Sequence, residues 1–198
     1  MKKTTTYLLF IGAFFVGHVP DVNGQAYCSL RDPESSVEKM FGGGNRLKSM
    51  VRTIDAKGRE TCSKIIGMDF HRNELGRHTL YRVTGAKGPL GFVHVRAERG
   101  MWGLDEFVWA FDNQLRVRDF TIQRCRDFSR REIESSSFRN QLVGKSLTEL
   151  IGLLNDDRTG LANGKVSVSK KAESLATQAI RSGIKALVLT QVVWLDGE

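Results

Sequence analysis

The sequence predicts a single α+β domain: an antiparallel meander sheet of about four to five strands, packed by flanking helices. Three features point there. Residues 78–125 form short runs of alternating apolar and polar side chains, broken by turn residues. Helix-capping residues and helical spacing flank that region, at 32–41 and beyond 130. No repeat, low-complexity tract or linker divides the 198 residues, of which 40% are hydrophobic and 26% charged, enough for one core.

The elements follow in order. Met1-Lys2-Lys3 is a basic start, Leu8 to Gly17 is a short apolar run, and Pro20 with the small residues Gly24 and Ala26 follows. This is the layout of a secretory signal peptide over 1–26, cut after Gly24 or Ala26, with a retained N-terminal anchor as the other reading. The domain then occupies 27–198. Asp32 as cap and Pro33 at the first helical position open a helix, which Gly42-Gly43-Gly44 ends. Residues 47–55 read as a strand, followed by a turn at Ala56-Lys57-Gly58 and a poorly patterned stretch over 59–77. Next, "HTLYRVTG" and "LGFVHVRAE" form a hairpin, and His94 within it reads as a core-edge or solvent-facing side chain. In "LDEFVWAFD", Phe107, Trp109 and Phe111 alternate with Glu106, Val108 and Ala110. In "LRVRDFTIQRC" the apolar phase slips near Arg118-Asp119, which predicts a β-bulge.

Helices return with "REIESSSFRNQLVG", ended by Gly144. Ser146-Leu147-Thr148-Glu149 is a capping box. Asn155-Asp156-Asp157 and Gly160 mark a loop, and a last helix runs from about 170 to the late 180s. Its start is unusual. Ser167 and Ser169 can cap it, yet Lys170 and Lys171 occupy a first turn where the helix dipole is already positive. An anion at that position would offset the repulsion.

The formal charge of +8 suits an anionic partner, and a solvated basic surface with no partner is the plainer reading. For an exported chain, nucleic acid is set aside in favour of anionic lipid, a phosphorylated cofactor or an acidic partner. Export also lets two of Cys28, Cys62 and Cys125 pair, with one left over. Arg124 and Arg126 would favour a thiolate at Cys125 if it is exposed; the plainer reading is a buried or disulfide-bonded cysteine. His71 and His78 offer nitrogen ligands for a metal or haem, but no nearby Cys or carboxylate completes a site. No hydrolase, metalloprotease, phosphate-loop or dinucleotide-binding signature occurs, so catalysis has no support from motifs and enzyme status stays open.

Residues 90–150, "LGFVHVRAERGMWGLDEFVWAFDNQLRVRDFTIQRC" followed by "FRNQLVGKSLTEL", resemble the FMN-binding domain family. Its members occur in ion-translocating NADH:quinone and ferredoxin:NAD oxidoreductases, in nitrous-oxide regulators and in extracytoplasmic flavin reductases. The terminal "SLATQAIRSGIKAL" is similar to the family's last helix, and the "DPESSVEKMF" helix sits where the family often carries one. The family esterifies FMN to the threonine of Ser-Gly-Ala-Thr just before that helix. Here an ungapped match places Lys171-Ala172-Glu173-Ser174 there, and a gapped one starting at Ser169 places Ala172 at the acceptor. "RDFSRRE" replaces the family's glycine-rich loop. The resemblance therefore implies non-covalent FMN. Ser169, Lys170, Lys171, Ser174 and Thr177 would hold the phosphate, and Trp102, or else Phe107 or Trp109, would stack on the ring. The implied function is an exported, periplasmic or extracytoplasmic flavin carrier or accessory in envelope electron transfer. Its partner would be an envelope redox protein or membrane complex. The alternative is a non-enzymatic module of the same fold that has lost flavin and binds an acidic partner or an anionic membrane surface.

Overall fold

A computed structural model of the chain describes residues 32–71 and 74–196. The expected signal peptide and Cys28 lie outside the described residues. Helix α1 (Glu34–Phe41) starts where the Asp32 carboxylate accepts from the Glu34 N–H at 2.9 Å, and it stops at Gly42. Strand β1 (Arg46–Ile54) leads into helix α2 (Ala56–Ile66), where the sequence suggested only a turn. The helix exists because the Asp55 carboxylate accepts from Gly58 N–H at 2.7 Å, a cap that compensates for glycine in the first turn. Only Cys62 and Ile66 are buried along it, so its apolar stripe is too narrow to show as a period.

Strands β2 (Gly76–Gly85), β3 (Gly88–Gly100), β4 (Gly103–Phe111) and β5 (Val117–Arg124) complete a five-stranded antiparallel sheet in the order β1-β2-β3-β4-β5. The slip in β5 is a bulge. Asp119 faces Ala110 and Val117 faces Phe111, leaving Arg118 as the extra residue. That extra residue lets Val117 and Phe120 both enter the same core. A further slip leaves Gln123 extra between Ile122 and Arg124.

The two faces of the sheet divide the core. Phe107, Trp109, Phe111, Phe120 and Leu80 pack under the C-terminal helices. Val83, Val93, Val95, Val108 and Ala110 face the other way and are covered by Val37 and Met40 of α1. Being buried on both faces, β4 shows almost no polar alternation.

The segment after β5 forms two short helices, α3 (Arg130–Ile133) and α4 (Ser136–Arg139), rather than one. The break falls at Ser135, whose hydroxyl accepts from Phe138 N–H and so starts a new helix. Helix α5 (Leu147–Ile151) carries the expected capping box. The Ser146 N–H and hydroxyl both donate to Glu149 and hold its carboxyl down to about 2.

A 3₁₀ turn (Lys170–Ala172) then opens helix α6 (Glu173–Leu189), and a π-helical turn (Thr190–Leu195) follows it. Helix α6 is positioned by Trp109. The indole N–H donates to Ser182 Oγ at 3.2 Å, and a Cβ on Gly183 would lie 2.7 Å from the same ring. Only glycine lets the helix approach this closely. No helix among the described residues is long and apolar enough to cross a membrane.

Candidate functional site

The start of α6 already has its anion, and it is a protein carboxylate. Glu132 of α3 accepts from the Ser169 N–H at 2.6 Å and from the Ser169 hydroxyl at 2.7 Å. Those two bonds, with a smaller contribution from the Lys171 charge, hold the Glu132 carboxyl below its ordinary range. Ser129 of the same segment donates to the Lys171 carbonyl at 3.0 Å, fixing the turn against α3. Glu132 thus stands where an incoming phosphate would meet Ser169. Nothing local in the sequence signalled this, because the partners are 37 residues apart.

The remaining expected site residues divide between two clefts. Ser174 and Thr177 line one of about 320 Å³, together with Arg99, Met101, Gln178 and Arg181. Lys171 lines a wider, open one with Phe128, Arg130 and Arg131. Lys170 is exposed. Trp102, joined to Met101 in the chain and in edge contact with Phe128 at 6.5 Å, lines neither cleft. Phe107 and Trp109, the other stacking candidates, are fully buried and serve the core.

The smaller cleft has the donor chemistry of an anion site. Arg99 and Arg181 bring two guanidinium groups, and the exposed Ser174 brings a hydroxyl. Gln178 Nε2 is buried and has no hydrogen-bond partner. The Thr177 hydroxyl is spent on the Glu173 carbonyl at 2.8 Å, so it can only accept from a ligand. Arg99, Arg181 and Gln178 are not among the residues the sequence pointed to. Arg181 and Gln178 follow Ser174 by seven and four residues on one helical face, and that spacing was the available signal; Arg99 comes from the distant strand β3.

A second polar constellation lies inside the molecule. Glu74 bonds the Arg96 guanidinium of β3 and accepts from Lys185 Nζ of α6 at 2.9 and 3.0 Å. Glu98 meets both cations, at 3.5 Å from Arg96 and 3.3 Å from Lys185. Burial alone would push the Glu74 carboxyl up; Arg96 and Lys185 outweigh it and hold the group below its ordinary value. Two positive and two negative side chains balance, which is what makes such burial tolerable.

Two histidines border this cluster. His78 Nε2 lies 2.8 Å from the Glu74 carbonyl, and His94 Nδ1 lies 3.1 Å from the Ala186 carbonyl. A carbonyl only accepts, so those nitrogens carry the protons. The opposite nitrogens, His78 Nδ1 and His94 Nε2, are buried without partners. Burial, and then the Arg96 charge, push His78 down to about 4 and His94 well below its ordinary value. His94 is therefore a fully buried neutral side chain, not the core-edge or solvent-facing one expected. Among the described residues no group of three or more His, Cys, Asp or Glu side chains is arranged to hold a metal ion.

Cys62 and Cys125 are not joined to one another, and the expected partner Cys28 lies outside the described residues. Cys62 is buried and pushed up to about 11. At Cys125, burial pushes the thiol up to about 12, and Asp105 adds to the shift. The flanking arginines do not produce a thiolate. No family model, curated protein or solved structure matches the chain.

Proposed function

We propose that the chain is an FMN-binding-like domain that holds its flavin non-covalently and serves as a carrier or accessory in envelope electron transfer. The observation that carries this reading is the cleft beside α6. Arg99, Arg181, Ser174 and Gln178 line it, a set of residues that suits a phosphate monoester, with Glu98 on its border tied to Arg96 and Lys185. At about 320 Å³ it is large enough for the phosphate and part of the ribityl chain. The isoalloxazine would then extend past Met101 toward the open side. Bound flavin would supply reversible electron transfer, and the protein would supply the grip and the position. Of the expected Ser169, Lys170, Lys171, Ser174 and Thr177, this reading keeps Ser174 for the phosphate and adds Arg99, Gln178 and Arg181.

Titrating FMN into the purified protein and following flavin fluorescence tests this. Arg181→Ala should weaken binding by about tenfold or more, the usual loss for a charge-assisted contact. Lys170→Ala should change affinity little beyond a salt-screened effect. Equal affinities for wild type and Arg181→Ala would remove the cleft from the reading.

A second reading, the same fold kept as an interaction module without flavin, is favoured by Glu132. A protein carboxylate occupies Ser169, one of the residues expected to hold the phosphate. A protein that FMN titration leaves unchanged would support this reading over the first.

A further inference from the structure

The β3–β4 hairpin ends in a projecting apolar tip. Gly100 pairs with Gly103 across the turn, and Met101 and Trp102 form its apex, 74% and 55% exposed. Gly103 has φ +125°, which allows so tight a return. Phe128, from the segment after β5, lies against Trp102 and is 92% exposed. Three large apolar side chains gathered in water mark a contact surface.

Cations flank the tip on both sides. Arg99 and Arg181 line the cleft next to Met101, while Arg131 and Lys171 line the cleft next to Phe128. None of the four forms an ion pair among the described residues. Most of the neighbouring carboxylates are engaged or buried, and Glu173 at the start of α6 is the exposed one. Glu98 faces Arg96 and Lys185, Glu132 holds Ser169, Glu134 holds Arg130, Asp127 accepts from Ser129 N–H, and Asp105 is buried.

We propose that this tip docks the protein on an anionic lipid bilayer, with Met101, Trp102 and Phe128 entering the headgroup region and the four cations meeting the lipid phosphates. The shape favours a bilayer over a folded acidic partner. The tip is a convex turn, and a soft interface accepts it without a matching cavity. Indole groups settle at the headgroup level, and arginines and lysines gain from the negative surface potential. An apolar insertion and a basic surface together give the two signals that stable attachment needs. With flavin held in the Arg99–Arg181 cleft, Arg131 and Lys171 beside Phe128 and Trp102 remain for the lipid, so the docking surface is tested without added FMN.

The chain carries its own probe. Of its three tryptophans, Trp109 and Trp194 are 0% and 1% exposed, so a vesicle-dependent change in emission reports Trp102. The experiment titrates the full chain, without added FMN, with vesicles of mixed phosphatidylglycerol and phosphatidylcholine, some brominated on the acyl chains. The expected result is a blue shift, quenching by the brominated lipid, and partitioning about tenfold or more stronger than on pure phosphatidylcholine. Raising the salt should reverse it. Arg131→Glu with Lys171→Glu should lose about tenfold or more. Phe128→Ser should also weaken binding, with an unchanged unfolding midpoint because the side chain is almost wholly exposed. Equal partitioning on neutral and anionic vesicles would overturn the proposal. So would unquenched Trp102 emission from vesicle-bound protein, because attachment would then run through another part of the chain. Capture on immobilised polyglutamate without vesicle binding would overturn it too, and would assign the tip to an acidic protein.

Discussion

His78 and His94 are neutral because the fold removes their water and places Arg96 beside them. Unfolding returns each to an ordinary histidine that takes a proton near pH 6.5. The unfolded chain therefore binds protons that the native chain refuses, and stability falls as pH drops from about 6.5 toward 4. For His78 alone the shift from 6.5 to about 4 corresponds to about 3 kcal/mol. Glu74 acts in a lower window. Its carboxyl is held below 4.5, so its contribution is present above that value and is lost as pH falls further. Urea midpoints across this range should decline in two stages; a flat profile between pH 7 and 5 would contradict the buried neutral pair. A separate test concerns Gly183. Gly183→Ala places a methyl carbon 2.7 Å from the buried Trp109 ring, and the helix must move. The expected cost is about 1–3 kcal/mol in chemical unfolding. The sequence marked Trp109 as inward by alternation. It could not mark Gly183, because close approach of a helix is visible only once both elements are placed.

At the scale of elements, α6 is held at its start by Glu132 and along its length by Lys185. Glu132→Ala would leave the Ser169 N–H and hydroxyl without their acceptor. The helix start would then bind added phosphate. The unfolding temperature of this variant should rise with inorganic phosphate more than that of the wild type, and an equal response would deny Glu132 its place as the internal anion. Glu74 ties the segment before β2 to both β3 and α6. Glu74→Gln leaves two buried cations short of a counter-charge, and should cost about 3–5 kcal/mol in equilibrium unfolding. The strands and the Arg118 bulge were legible because a period of two and its slip are local signals. Helix α2 was not, because its buried face consists of Cys62 and Ile66 and its start depends on one Asp55 cap. The ion cluster was only half legible. Arg96 shares a phase with His94 in a strand that is buried on both faces, but Glu74 and Lys185 come from distant segments.

For the whole molecule, the meander and its C-terminal helix cover were readable from pattern, while the candidate site was readable only in part. Ser174 and Thr177 do reach a cleft. Ser169 is taken by Glu132, and Trp102 stands apart at the hairpin tip. The cause is physical: a site assembled from a hairpin, a helix face and a distant acidic residue leaves no contiguous motif. Non-covalent FMN in the Arg99–Arg181 cleft is the central claim, and the most direct measurement combines FMN titration with acid precipitation of the complex. Saturable binding should appear, and precipitation should release the yellow colour to the supernatant. A protein that never quenches or retains FMN would contradict non-covalent flavin binding, and colour retained in the pellet would show a covalent bond instead.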